Sequence, residues 1–194
     1  MSFTTGGLFY RESLTVAELY IQRKAWAQVR KDVLSANLLQ ARTAASAQRV
    51  YREVSIRLQL LTSDQMMILQ DGSRDEQNYI LWLAICKRFA FIKKFAVEVL
   101  REKFLSLDFE LSYQDYQAFF NAQAQWHEEL EQLKETTQKK LRQVLFKMMH
   151  EAELITKDNT IIAATLSPRV VNAILDDPQA SLSVFPVLDS NIGG

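Results

Sequence analysis

The chain has 194 residues, of which 48% are hydrophobic and 24% charged, as in an ordinary globular protein with a sizeable core. These values exclude a disordered chain, and 5 Gly and 3 Pro are too few for the turns of an all-β sandwich or barrel. One cysteine and two histidines exclude a disulfide scaffold and a Cys/His zinc site made by this chain alone, and we expect no cofactor.

The formal net charge of zero conceals a segregation of charge along the sequence. Residues 1–60 carry 9 basic and 4 acidic side chains, whereas residues 108–133 carry 6 acidic side chains and no Lys or Arg. Residues 134–150 are basic again, with 5 basic and 1 acidic side chains. Because attraction to phosphate depends on the local field, the two basic segments are the places where an anionic partner could bind.

Neither a membrane span nor a targeting segment is predicted. No stretch approaches the 20 or so apolar residues of a spanning helix, and the first ten residues lack the features of a signal peptide. A lone thiol, Cys86, fits a reducing compartment. We therefore expect a cytoplasmic protein without membrane contact.

Helix-start signals recur along the sequence. The spacing of a capping box, in which two side chains satisfy each other's backbone N–H, occurs at Thr15 and Glu18, Thr62 and Gln65, Ser73 and Glu76, and Ser112 and Asp115. Ser167 precedes Pro168, which suits the first turn of a helix. The repetition of these signals predicts a mostly helical architecture.

Apolar residues at helical spacing agree with these starts. They predict helices over residues 16–23, 25–35, 43–61, 73–106, 113–132 and 137–152. The segment 73–106 is apolar on all sides over residues 79–85, so it should form the buried centre, with a break near residues 89–91.

The predicted fold is a compact multi-helix protein in three parts. Residues 1–62 form a helix-turn-helix-like part. Residues 63–175 form a helical part with the central buried helix and a short β-hairpin, as in a winged helix. Residues 176–194 form an extended tail.

The helix over residues 43–61 is the first predicted DNA-binding element. Two short helices precede it, as in a helix-turn-helix reader whose last helix enters the major groove. Its polar side chains lie away from the apolar stripe, with Arg42 just before the helix. The predicted contact residues are Arg42, Gln48, Arg49, Arg52 and Arg57. A solvated helix face is the simpler alternative.

The second predicted element spans residues 136–165. A basic helix leads into a polar turn and the β-branched residues 160–162, which resembles the recognition helix and wing of a winged-helix domain. The contact residues predicted here are Lys139, Lys140, Arg142 and Lys147. A packing unit without DNA contact is the alternative.

Catalytic signals are weak. His127 lacks a second histidine at the zincin spacing, Cys86 lies in the most apolar helix, and no phosphate-binding loop follows Gly6 and Gly7. We therefore expect no catalytic residues, no metal site and no enzymatic activity.

Four segments resemble the BrxA family, small proteins of the BREX phage-defence system. They are FTTGGLFYRES at residues 3–13, LLQARTAAS at 38–46 with Arg49 following, EVLREKF at 98–104, and FFNAQAQWH at 119–127. The resemblance covers nearly the whole chain, to about Pro186.

The resemblance implies a non-enzymatic component of a multi-gene antiviral defence system that binds double-stranded DNA and works with other BREX proteins. It does not supply individual binding residues. The alternative is a protein–protein adaptor within the defence complex, without direct DNA contact, that uses apolar patches and the acidic segment 108–133.

Overall fold

A computed structural model describes residues 6–188 of the chain, and helices dominate it. The α-helices, in chain order, are α1 (Tyr10–Arg23), α2 (Trp26–Ser35), α3 (Ala44–Leu58), α4 (Ser63–Asp71), α5 (Arg74–Arg88), α6 (Ala90–Phe95), α7 (Glu102–Leu105), α8 (Tyr113–Ala124), α9 (Glu128–Glu131), α10 (Glu135–Glu151) and α11 (Pro168–Leu175). A π-helical segment, Ala96–Arg101, joins α6 to α7, and a 3₁₀ turn covers Leu182–Val184.

Side-chain caps fix several of these helix starts. Thr62, Ser73 and Ser112 form the predicted capping boxes, and Ser167 caps α11 ahead of its proline. The predicted box at Thr15 is wrong, because α1 begins five residues earlier and the Thr15 hydroxyl donates to the Arg11 carbonyl at 3.0 Å. A threonine inside a helix can bond its own backbone in this way, so spacing alone does not mark a start.

Helix α5 is the buried centre of the fold, as predicted. Every residue from 77 to 86 is buried, and Trp82 and Ile85 are fully enclosed. The helix ends where Phe89 adopts an extended conformation with φ of −123°, inside the predicted break. Helix α6 then continues in a new direction from Ala90.

An aromatic cluster joins α6 to α8. The Phe91 ring meets the Phe119 ring edge-on at 5.1 Å between centroids, and the Phe95 ring meets the same ring at 5.3 Å. Tyr116 and Phe120 complete the cluster. Edge-to-face pairs of this kind add to the stabilisation from apolar burial, so α8 is held firmly against α6.

The predicted winged-helix hairpin is absent from residues 6–188, where the only β pairing consists of two isolated bridges, Ile155–Ile161 and Glu110–Thr160. The segment around Ile161 divides its hydrogen bonds between two neighbours, since the Ile161 N–H donates to the Phe109 carbonyl at 2.7 Å and the Ile162 N–H to the Leu154 carbonyl at 2.9 Å. Neither pairing extends into a ladder. Ile155 and Ile161 are buried, so the chain on both sides of the exposed turn at residues 156–158 packs into the core and does not form a projecting wing.

The segment predicted as an extended tail packs against the core over residues 176–188, and residues 189–194 lie outside the described part. The Trp82 indole N–H donates to the Val184 carbonyl at 2.9 Å, and Phe185 is fully buried. A buried ion pair anchors the start of the segment, with Lys87 Nζ 2.5 Å from Asp177 Oδ2. Gln65 donates to the same carboxylate at 3.0 Å, so α4, α5 and the C-terminal segment share one polar contact.

Replacing Ile85 with Asp should prevent folding, because an unpaired carboxylate at a fully buried site is strongly unfavourable. Leu107→Asp is the matched control, since Leu107 is 73% exposed and should tolerate the change. Circular dichroism of the soluble fraction checks both variants. Folded, soluble Ile85→Asp protein would contradict the assignment of α5 as the core.

The Lys87–Asp177 pair should make stability depend on pH. Hydrogen bonds from Lys87 and Gln65 outweigh burial and lower the pKa of Asp177. The stabilisation is therefore complete above the unfolded pKa of about 3.9 and is lost as pH falls through the lower folded pKa.

Asp177→Asn should lower the free energy of unfolding at pH 7 by about 3 kcal/mol, because it leaves the buried ammonium without its counter-charge. The difference from the unaltered protein should shrink below about pH 4. Asp176→Asn, at the exposed neighbouring position, is the control for urea unfolding curves at both pH values. A difference that does not change with pH would contradict the role given to Asp177.

Candidate nucleic-acid interface

Helix α3 presents a cationic face to solvent. Thr43 caps it by accepting a hydrogen bond from the Ser46 N–H at 3.1 Å. Its buried stripe runs through Ala47, Tyr51, Val54 and Leu58, which turns the opposite side outward. Three predicted contact residues, Gln48, Arg49 and Arg52, are exposed on this side, and Arg42 is exposed just before the helix.

The three guanidinium groups of Arg42, Arg49 and Arg52 form no ion pair with any residue in the described part of the chain. Between residues 24 and 60 the sequence has only two carboxylates, Asp32 and Glu53. Asp32 pairs with Arg23 at 3.1 Å, and Glu53 lies 3.6 Å from Arg57. The positive charge on the outer face of α3 is therefore not neutralised locally, which is the condition for attracting phosphate.

Arg57 does not belong to this face, and its predicted place among the DNA contacts is corrected. Its side chain is only 4% exposed, and Nη1 donates to the Gly7 carbonyl at 2.8 Å. The guanidinium also lies over the Phe9 ring at 5.4 Å and the Phe89 ring at 5.8 Å. Burial lowers the pKa of Arg57 to about 10, so the group stays protonated at neutral pH but is not available to phosphate.

The N-terminal segment, residues 6–9, lies between α3 and α10 and buries the Arg57 side chain. Arg57 of α3 holds the Gly7 carbonyl, and Glu151 of α10 accepts a hydrogen bond from the Leu8 N–H at 2.5 Å. An added Cβ at position 7 would lie 2.8 Å from Glu151 Oε2, so the carboxylate would have to shift from its place beside the Leu8 N–H. The segment thus joins the C-terminal ends of the two helices.

The second predicted set, on α10, is largely engaged with other groups. Lys139 pairs with Glu135 at 2.6 Å, and Lys147 lies 3.6 Å from Glu151. Arg142 is half-buried, with its guanidinium 4.4 Å from the Tyr113 ring centroid. Of the four residues, Lys140 is the one that is exposed without an ion pair to the described residues. The α10 surface is therefore less positive than its sequence indicates.

The described residues give little support for metal binding or for thiol and histidine chemistry. Over 6–188, no group of three or more His, Cys, Asp or Glu side chains is placed to hold a metal ion. Cys86 is enclosed in α5, and burial raises the pKa of its thiol, which suppresses the reactive thiolate. His127 is exposed just before α9 and belongs to no such group. No helix between residues 6 and 188 is long and apolar enough to cross a membrane.

This arrangement defines a small all-helical protein with a cationic helix face in its described part. A crystal structure of an uncharacterized protein from Magnetospirillum magneticum has a similar fold, with a TM-score of 0.76 and 18% identity over 93% of this chain and 92% of the other. At that identity, the likeness concerns the fold alone.

Sequence comparison supplies the family. The BrxA family model matches residues 1–177. The BREX protein BrxA of Escherichia coli O9:H4 (strain HS) is 25% identical over 147 residues, which are 76% of this chain and 69% of that protein. The chain belongs to the BrxA family, as its sequence motifs predicted, and this makes it a component of a BREX phage-defence system.

Arg57→Ala should lower the free energy of unfolding by about 3 kcal/mol, because the Gly7 carbonyl and Glu53 lose a buried, charged partner. Arg52→Ala, one and a half turns away on the exposed face, should change it by less than about 0.5 kcal/mol. Urea unfolding followed by circular dichroism compares them. Equal stability of the two variants would contradict the structural role of Arg57.

Proposed function

We propose that this BrxA-family protein binds double-stranded DNA without strong sequence preference, through the exposed face of α3. The observation that carries the proposal is the set of three exposed arginines, Arg42, Arg49 and Arg52, that lack ion pairs among the described residues. Guanidinium groups suit this role because their planar array of N–H donors matches phosphate oxygens. Gln48 adds an exposed amide beside them.

The α10 residues have a smaller role in this proposal. Two of the three lysines have carboxylate partners within one helical turn, and a phosphate would have to compete with those carboxylates. The wing that would have accompanied a groove-binding α10 is absent from the described residues. We therefore rank α3 above α10 as the DNA-binding element. In this proposal the protein acts in the cytoplasm and has no catalytic activity of its own.

The DNA affinity should be micromolar or weaker at physiological salt and should fall steeply as salt is added, because phosphate contacts release counterions. Arg49→Glu with Arg52→Glu should reduce the affinity more than tenfold while leaving the fold intact. Lys139→Glu with Lys140→Glu is the matched control, since it makes the same charge change on α10 and should have the smaller effect. Fluorescence anisotropy with unrelated duplexes at two salt concentrations measures both.

The possible results separate the alternatives. A larger loss from the α10 pair would move the binding surface to α10. Negligible losses from both pairs, or no binding at low salt with protein in large excess, would overturn the proposal.

An adaptor role is the second candidate, and one observation favours it. Trp126 is 83% exposed in the connection between α8 and α9, next to the exposed carboxylates of Glu128 and Glu129. Tryptophan is enriched among the residues that dominate protein–protein binding energy. Binding of other BREX proteins at this connection would be compatible with DNA binding at α3, because the two features lie on different elements.

A further inference from the structure

Helix α2 carries two exposed cations, Arg30 and Lys31, that lie outside the predicted DNA-binding set. Val29 and Val33 are buried and fix the inner face of the helix. Lys31 is turned roughly opposite to this face, whereas Arg30, about 100° away around the helix, lies on a flank. Neither side chain forms an ion pair with the residues that the structure describes.

The flank with Arg30 is the one that faces α3. The other flank carries Asp32, which pairs with Arg23 at the end of α1. The Tyr51 hydroxyl of α3 donates to the Trp26 carbonyl at 3.1 Å, so the first turn of α2 lies beside the middle of α3. Arg30 is one turn, or about 6 Å, further along α2. Its positive charge reaches Tyr51, where it partly offsets the rise in the tyrosine pKa that burial causes.

The charges on α2 and α3 that have no partner are positive. The two carboxylates of α2 and α3, Asp32 and Glu53, already have arginine partners on other flanks. Arg30 thus adds an exposed guanidinium group without an ion pair on a second helix, which packs beside α3. Such a group is available to a phosphate of a duplex that also reaches α2.

We propose that the bound duplex lies across both helices and that Arg30 of α2 contacts a backbone phosphate, while Lys31 does not. The inference rests on the proposed function, since it concerns the DNA bound at α3. The binding surface then consists of two helices that contact the DNA backbone. This is compatible with weak sequence preference, because phosphate contacts carry no sequence information directly.

The test compares Arg30→Gln with Lys31→Gln, which remove the same charge from adjacent positions of one exposed helix. Binding of a fluorescent duplex is measured by anisotropy over a salt series. Arg30→Gln should reduce the slope of log affinity against log salt by about 0.9, the value for one lost phosphate contact. Arg30→Lys should restore the slope, and Lys31→Gln should leave it unchanged.

Equal slopes for the two glutamine variants would overturn the inference, whether both fall or neither does. Equal losses would mean that only the general field matters, and no loss would mean that α2 is not in contact with the duplex. In both cases the proposed function survives if Arg49→Glu with Arg52→Glu still reduces the affinity more than tenfold. If the unaltered protein shows no salt-dependent binding, the proposed function and this inference both fail.

Discussion

The hydrogen bond from Arg57 to the Gly7 carbonyl is the interaction on which the arrangement of the basic helices depends. It closes one flank of α3, and the partner bond from Leu8 to Glu151 ties the same segment to α10. The N-terminal segment and the Phe9 and Phe89 rings cover that flank, so Arg57 is withdrawn from solvent. Its burial leaves Arg49 and Arg52, opposite the apolar stripe, as the exposed arginines of the helix itself.

The placement of carboxylates decides which basic segment keeps its charge. On α10, Lys139 has Glu135 one turn earlier, and Lys147 has Glu151 one turn later. Exposed pairs of this kind add little to stability, but they reduce the positive field around the helix. On α2 and α3 the only carboxylates pair with arginines on other flanks. Similar numbers of basic residues therefore produce surfaces of different potential.

The C-terminal third illustrates how distant segments complete one another. The residues around Ile161 resemble half of a hairpin, yet their hydrogen bonds go to the chain near Phe109 as well as to the preceding turn. The following segment returns to α5. There Lys87 pairs with Asp177, and the Trp82 indole N–H donates a hydrogen bond to the Val184 carbonyl. Without this segment Lys87 would keep only the Leu60 carbonyl and lose its counter-charge, and the Trp82 indole N–H would lose its acceptor, so both groups favour its packing into the core.

The sequence by itself determined most of the helices, three of the four predicted capping boxes and the buried centre, because these depend on residues within a few positions of one another. Thr62, Ser73 and Ser112 cap as their spacing predicts, and the all-round apolar pattern of residues 79–85 requires burial. It also located the exposed arginines of α3, since Arg49 and Arg52 lie opposite the apolar stripe of their own helix.

Only the tertiary structure decided which cations stay free. Arg57 lies 50 residues from Gly7 along the chain, and no local period predicts that a glycine segment will cover one flank of α3. The packing of the C-terminal segment against the core likewise depends on the contact between Lys87 and Asp177, which lie 90 residues apart in sequence. The role proposed for Arg30 likewise rests on the side of α2 that meets Tyr51. These contacts are set by how the helices pack, and packing joins residues whose separation in sequence carries no periodic signal.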